Sequence, residues 1–98
     1  MNGGTHKNHS DCVSITVRFV SIMRKYSGDK REIQVEVPTD SAQAIDLIIN
    51  RFQIPWQDNL EKSTRIFINQ KLNDPSAGRG QPLNDKDIIA FIPISGGG

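Results

Sequence analysis

The chain has 98 residues, of which 36% are hydrophobic and 23% charged, enough for one domain with a single modest core and no second. A formal net charge of +1 argues against a nucleic-acid footprint or a membrane-surface patch, and no run of about 18 apolar residues offers a membrane-spanning helix. The single cysteine, Cys12, cannot close an internal disulfide, which together with the lack of a signal-type apolar segment points to a reducing, cytoplasmic setting.

Residues 1–12 are polar, contain Gly and Asn, and have no apolar period, so a disordered extension is predicted there. From Val13 the pattern changes. Val13, Ile15, Val17 and Phe19 alternate with Ser14, Thr16 and Arg18, a period of two that predicts a strand with one buried face. Val20 breaks the alternation by placing an apolar side chain on the outward parity. Residues 26–30 (Tyr-Ser-Gly-Asp-Lys) read as a turn, followed by a second alternating strand through Ile33, Val35 and Val37, so the first two strands are expected to form a hairpin. Pro38 closes that strand. Thr39, Asp40 and Ser41 then offer capping oxygens ahead of Ala44, Ile45, Ile48 and Phe52 at helical spacing, which predicts a helix over about residues 41–53. Ile54-Pro55-Trp56 ends it, because proline disfavours helical backbone in the residue before it. Residues 65–69 read as a short third strand, residues 73–82 as a Gly- and Pro-containing loop, and the apolar run from Ile88 to Ile92 as a last strand.

Strand, strand, helix, strand, strand, with the helix over one face of a mixed four- to five-stranded sheet, is the α+β arrangement of the β-grasp, or ubiquitin-like, fold. First and last strands should lie parallel at the sheet centre. That accounts for the continuous apolar character of the last one, since parallel strands are buried on both faces. The domain is thus expected over residues 13–93, followed by a tail over residues 94–98. Three glycines at the tip of that tail add nothing to a core, but without side chains they let backbone enter a narrow slot in another protein.

The chain resembles the sulfur-carrier branch of the ubiquitin-like proteins, the MoaD/ThiS type, and most of all the family of small subunits of molybdopterin synthase. The resemblance is carried by Val17-Arg18-Phe19, a helix starting near Ser41, Asn69-Gln70-Lys71-Leu72, the turn Leu83-Asn84-Asp85-Lys86-Asp87, and Ala90-Phe91-Ile92-Pro93 ahead of Gly96, Gly97 and Gly98. It implies that a separate ATP-dependent, ubiquitin-activating-type enzyme adenylates the Gly98 carboxylate, after which sulfur replaces an oxygen to give a thiocarboxylate. Gly96 to Gly98 would then be the segment that inserts. Val20, Leu72 and Ile92 would be the apolar contacts to the activating enzyme and to the synthase large subunit, although two of the three are smaller than the aromatic residues the resemblance leads one to expect. The long extension, the extra residues at 73–82 and Gly96 depart from that pattern, and the extension and the larger loop resemble the small archaeal modifier proteins, which are joined to lysines of target proteins through the same carboxyl by an isopeptide bond. A third reading is a β-grasp interaction module with an idle tail.

Nothing else in the chain reads as catalytic. There is no phosphate-binding GxxxxGK[ST] loop, and no nucleophile, base and orienting acid at a telling spacing. The chain is therefore expected to be a substrate and carrier rather than an enzyme, a monomer on its own, with no stably bound cofactor and with ATP used by its partner. His6, His9 and Cys12 are three apart but form an incomplete metal donor set in a segment without predicted order. Cys12 has no flanking cation or helix start to make it a reactive thiol. Trp56 reads as a plug at the end of the helix. Arg18, Arg24 and Lys25 read either as a solvated edge or as a rim toward an acidic partner.

Overall fold

The computed structural model describes residues 12–73 and 80–94, so residues 1–11 of the extension predicted over 1–12 and the tail glycines Gly96, Gly97 and Gly98 lie outside the described residues. Five strands form one sheet: β1 (Cys12–Phe19), β2 (Glu32–Pro38), β3 (Thr64–Ile68), β4 (Lys71–Leu72) and β5 (Ile88–Pro93), in the order β2-β1-β5-β3-β4. β1 and β5 run parallel, with Val17 opposite Ile89 and Phe19 opposite Phe91, while β1 pairs antiparallel with β2, and β5 with β3. This is the β-grasp arrangement with its parallel pair at the centre. β1 begins one residue before the alternating pattern, at Cys12, which pairs with Pro38.

The single main helix, α1 (Ser41–Arg51), lies over one face of the sheet. Asp40 caps it, its Oδ2 accepting from the Gln43 N–H at 3.0 Å, and Ser41, Ala44, Ile45 and Ile48 form its buried stripe at the i, i+3, i+4, i+7 spacing. It stops two residues before the predicted end. Gln53 takes a left-handed φ of 54°, and its N–H reaches the Asn50 carbonyl while that of Ile54 reaches Ile49 at 2.9 Å, a Schellman closure with glutamine where glycine is usual. Between α1 and β3 the chain makes a wide π-type turn, Trp56–Leu60, and a three-residue helical turn, Glu61–Ser63, neither of which has a periodic signal.

Two further differences from the sequence reading lie at the ends of strands. β3 ends at Ile68 rather than Asn69, because Asn69 (φ 51°) and Gln70 (φ 72°) form a two-residue turn into β4, and a tight hairpin of this kind needs positive φ at both central residues. The link from β1 to β2 contains a 3₁₀ turn, Ser21–Tyr26, ahead of the expected turn at Gly28. Its Met23 is fully buried and joins the core.

The end of the loop at residues 73–82 is fastened to the start of α1. The Gln81 N–H donates to Ser41 Oγ at 2.7 Å, the Ser41 N–H to the Gln81 carbonyl at 2.9 Å, and the Leu83 N–H to the Thr39 carbonyl at 2.7 Å. Only glycine fits at position 80, where a Cβ would lie 2.5 Å from the Ala42 nitrogen and 2.8 Å from Ser41 Oγ. Gly80→Ala is therefore expected to lower stability by about 1–3 kcal/mol, the usual range for forced overpacking, read as a lower urea midpoint at unchanged slope. A midpoint equal to that of the parent would show that the loop end is not held against the helix.

Candidate functional site

β5 is the structural anchor of the segment that the sequence singled out. It is hydrogen-bonded on both sides, and pairing continues to its last residue, Pro93 opposite Thr64 of β3. One residue further, the Ile94 N–H donates to the Ser63 carbonyl at 2.8 Å, so the backbone is held up to the point where the tail begins. Beneath this exit Phe91, fully buried, stacks on Phe19 with centroids 6.1 Å apart and meets Trp56 edge-on at 5.9 Å. Trp56 thus plugs the core under the last strand, not only the end of α1. Burial of each such aromatic ring contributes a few kcal/mol, on the order of 2–3, so the exit stands on one of the better-fixed parts of the domain.

The three apolar residues expected to meet a partner do not form one cluster. Phe19 faces the helix in register with Phe91, and the Val20 N–H donates to the Phe91 carbonyl at 3.2 Å, which sets Val20 beside Ile92 at the end of the parallel pair. Both are half-buried. Leu72 is 56% exposed but stands two strands away on β4, opposite Phe67, at the sheet edge. It also lines a groove of about 460 Å³ between α1 and β3, with Ile45, Ile49, Trp56 and Ile66. Arg65, opposite Ile92, separates it from the Val20–Ile92 pair.

Sequence reasoning missed two exposed apolar side chains at the exit itself, Ile22 at 61% and Ile94 at 40% exposure. The only available signal for Ile22 was its spacing. In a 3₁₀ turn residues three apart share a face, so burying Met23 and Tyr26 turns Ile22 and Lys25 outward together, but no pattern in the residues marks that turn.

Two of the three cations that could rim a partner surface are already engaged within the domain. Arg18 pairs across β1 and β2 with Glu32, Nη2 to Oε2 at 2.8 Å, and Arg24 lies 3.8 Å from Asp29. Lys25 sits 5.2 Å over the Tyr26 ring. The segments 69–72 and 83–87 that carried the family resemblance prove to be bound to each other. Asn69 donates from Nδ2 to Asp87 Oδ1 at 3.0 Å and accepts the Ile88 N–H at 2.9 Å, while the other Asp87 oxygen accepts the Asn84 N–H at 2.8 Å. Their role is to fix the β3–β4 turn against the start of β5.

Among the described residues no three His, Cys, Asp or Glu side chains stand close enough to hold a metal, and no helix is long and apolar enough to cross a membrane. Cys12 is exposed, while His6 and His9 lie outside the described residues. The described part of the site is a rigid strand end ringed by apolar side chains. Chemically it can present a segment to another protein.

Comparison with known proteins agrees with this fold. A family model described as the ThiS family matches residues 17–98. No curated protein matches the chain by sequence. Among solved structures, the small archaeal modifier protein 1 from Methanosarcina acetivorans is similar at a TM-score of 0.68 and 16% identity, over 89% of this chain and 98% of the other. Its counterpart from Haloferax volcanii is similar at 0.66 and 16%, over 87% and 99%. A chain from the protein–protein complex of subunits 1 and 2 of the molybdopterin-converting factor of Helicobacter pylori 26695 is similar at 0.58 and 20%, over 88% and 100%.

Proposed function

Because the chain belongs to the ThiS family, we propose that it is a ubiquitin-like sulfur carrier whose reactive group is the carboxylate of Gly98, serving molybdenum cofactor biosynthesis as the small subunit of molybdopterin synthase. The observation that carries this reading is the central β5, paired with β1 as far as Phe91 and with β3 as far as Pro93, and continued by the Ile94 hydrogen bond to Ser63. A tail leaving such an anchor starts from a fixed point and direction, so an enzyme that grips the domain knows where to find its end. The match of the family model through residue 98 supports placing the glycines in that role.

A carboxylate is a poor electrophile, because its charge is delocalised and oxide is a bad leaving group. In the proposed cycle a separate adenylating enzyme binds ATP, one Gly98 carboxylate oxygen attacks the α-phosphorus, and pyrophosphate leaves. A hydrosulfide equivalent then displaces AMP at the acyl carbon and gives up its proton to solvent, leaving a thiocarboxylate. Gly97 and Gly98 matter because a chain without side chains can lie in the slot that leads to the nucleotide. The domain supplies no catalytic group. It holds no stably bound cofactor in this reading, and its later partner is the synthase large subunit, as in the Helicobacter pylori complex of subunits 1 and 2.

Attachment to lysines of target proteins is the second reading, favoured by the likeness to the archaeal modifier proteins. It shares the adenylation step and differs in the acceptor, a lysine amine that displaces AMP to form an isopeptide bond. Intact mass spectrometry of the tagged protein from its native host separates the two. A mass gain of one oxygen replaced by sulfur is the expected result, and a ladder of heavier protein adducts instead would establish the modifier. Neither species under both sulfur-replete and sulfur-starved growth would remove both readings.

A further inference from the structure

We infer that Ile22, with Ile94 and the Val20–Ile92 pair, forms an apolar collar around the tail exit, and that its occupant is the protein that adenylates Gly98. The inference rests on the carrier reading above and adds the surface by which the activating partner is recognised. β1 and β5 are parallel, and Phe19, the last residue of β1, stands opposite Phe91, two residues before the end of β5. The chain leaving β1 and the chain leaving β5 therefore emerge from the same end of the sheet. After β1, Ser21 takes a left-handed φ of 56°, which reverses the backbone into the 3₁₀ turn, and that turn packs against β5. Met23 goes into the core and Ile22 is left outward at 61% exposure. An isoleucine this exposed gains nothing for folding, since its side chain stays largely in water.

The length of the tail decides what covers it. Residues 95–98 span at most about 14 Å when fully extended, so an active site that holds the Gly98 carboxylate must bring its own surface down onto the end of the sheet. It cannot reach the carboxylate and leave Ile94 and the 3₁₀ turn in open solvent. The apolar area that Val20 and Ile92 provide is small because both are half-buried, and Ile22 and Ile94 add the exposed part of the contact. Charge sets the chemistry of the rim. Lys25 shares the outward face of the turn with Ile22, Arg65 stands opposite Ile92, and among the described residues neither pairs with a carboxylate. The fitting partner surface is an apolar shelf edged with acidic side chains. Such an arrangement places affinity in the buried apolar centre and steering in the charged edge.

The test is ATP–pyrophosphate exchange catalysed by the ubiquitin-activating-type adenylating enzyme of the native host, with the full chain as the varied substrate. Ile22→Asp is expected to raise KM by about tenfold or more with kcat within about threefold, because it removes binding that is the same before and during the chemical step. Ile22→Val should behave like the parent. Lys25→Glu should raise KM in low salt and lose that effect in high salt. The far-ultraviolet circular dichroism and urea midpoint of each variant should match the parent, since Ile22 lies outside the core. An unchanged KM for Ile22→Asp, in a preparation where shortening the tail abolishes exchange, would overturn the collar and leave the carrier reading intact. Exchange that survives shortening of the tail would instead remove the carrier reading itself.

Discussion

Removing Gly97 and Gly98 is expected to reduce ATP-dependent adenylation of the chain by at least a hundredfold while leaving its unfolding midpoint unchanged. The shortened chain still ends in a carboxylate, on Gly96, so the chemistry of the end group is not what is lost. What is lost is reach. Two residues correspond to about 7 Å of extended backbone, and displacement of a reacting atom by even about 1 Å can cost on the order of a hundredfold in rate. The start of the tail cannot move outward to compensate, because β5 is paired on both sides and Ile94 is bound to Ser63. Stability should not follow activity, since the buried core is built from residues between Ile15 and Phe91. The measurement is pyrophosphate exchange with the host adenylating enzyme, beside a urea titration of the same protein. Exchange within a few-fold of the parent would identify the tail as idle and the domain as an interaction module.

Phe91→Ala should cost about 3–5 kcal/mol, the range for removing a fully buried aromatic ring from a core that cannot collapse into the space. The local packing gives no slack. Phe91 lies between the Phe19 ring, stacked at 6.1 Å with an interplanar angle of 11°, and the edge of Trp56 at 5.9 Å, and Phe19 is held in turn by Phe52 at 5.2 Å. Against the 5–15 kcal/mol that holds a small domain folded, a loss of this size takes about a fifth of the stability or more. It should also degrade function before it unfolds the protein. Residues 92–94 follow directly from Phe91 in the same strand, so a loosened β5 presents the tail from a less defined origin. Urea unfolding of Phe91→Ala and Phe91→Leu checks the argument. Leucine is expected to recover most of the loss, and a cost below about 1 kcal/mol for alanine would show that the aromatic cluster does not anchor the exit.

The candidate site was legible in the sequence to the extent that it depends on local pattern. The period of two through β1 and β2, the period of 3.6 through α1 and the continuous apolar run of β5 each report a local backbone geometry, because side chains alternate or rotate by a fixed angle per residue. Those patterns, in their order, were sufficient for the β-grasp arrangement with β1 and β5 at the centre. Parity put Val20 and Ile92 on the open face of the sheet, and the register of Phe19 opposite Phe91 sets them beside each other. It could not show that Leu72 stands on another strand, beyond Arg65, since the position of β4 follows from two left-handed residues, Asn69 and Gln70, of which neither is glycine.

What the sequence determined by itself is therefore which segments become strands or helix, and that the last strand is buried on both faces ahead of a glycine tail. Only the tertiary structure decided what surrounds the exit, the 3₁₀ turn that exposes Ile22 and the Ser63 carbonyl that fixes Ile94, and what closes the other end of the sheet, where Gly80 and Gln81 pack on Ser41. These contacts join residues far apart in the chain, and their energies come from burial and hydrogen bonding that exist only once both partners are in place. A local pattern carries no trace of a partner forty residues away, such as Gln81 for Ser41.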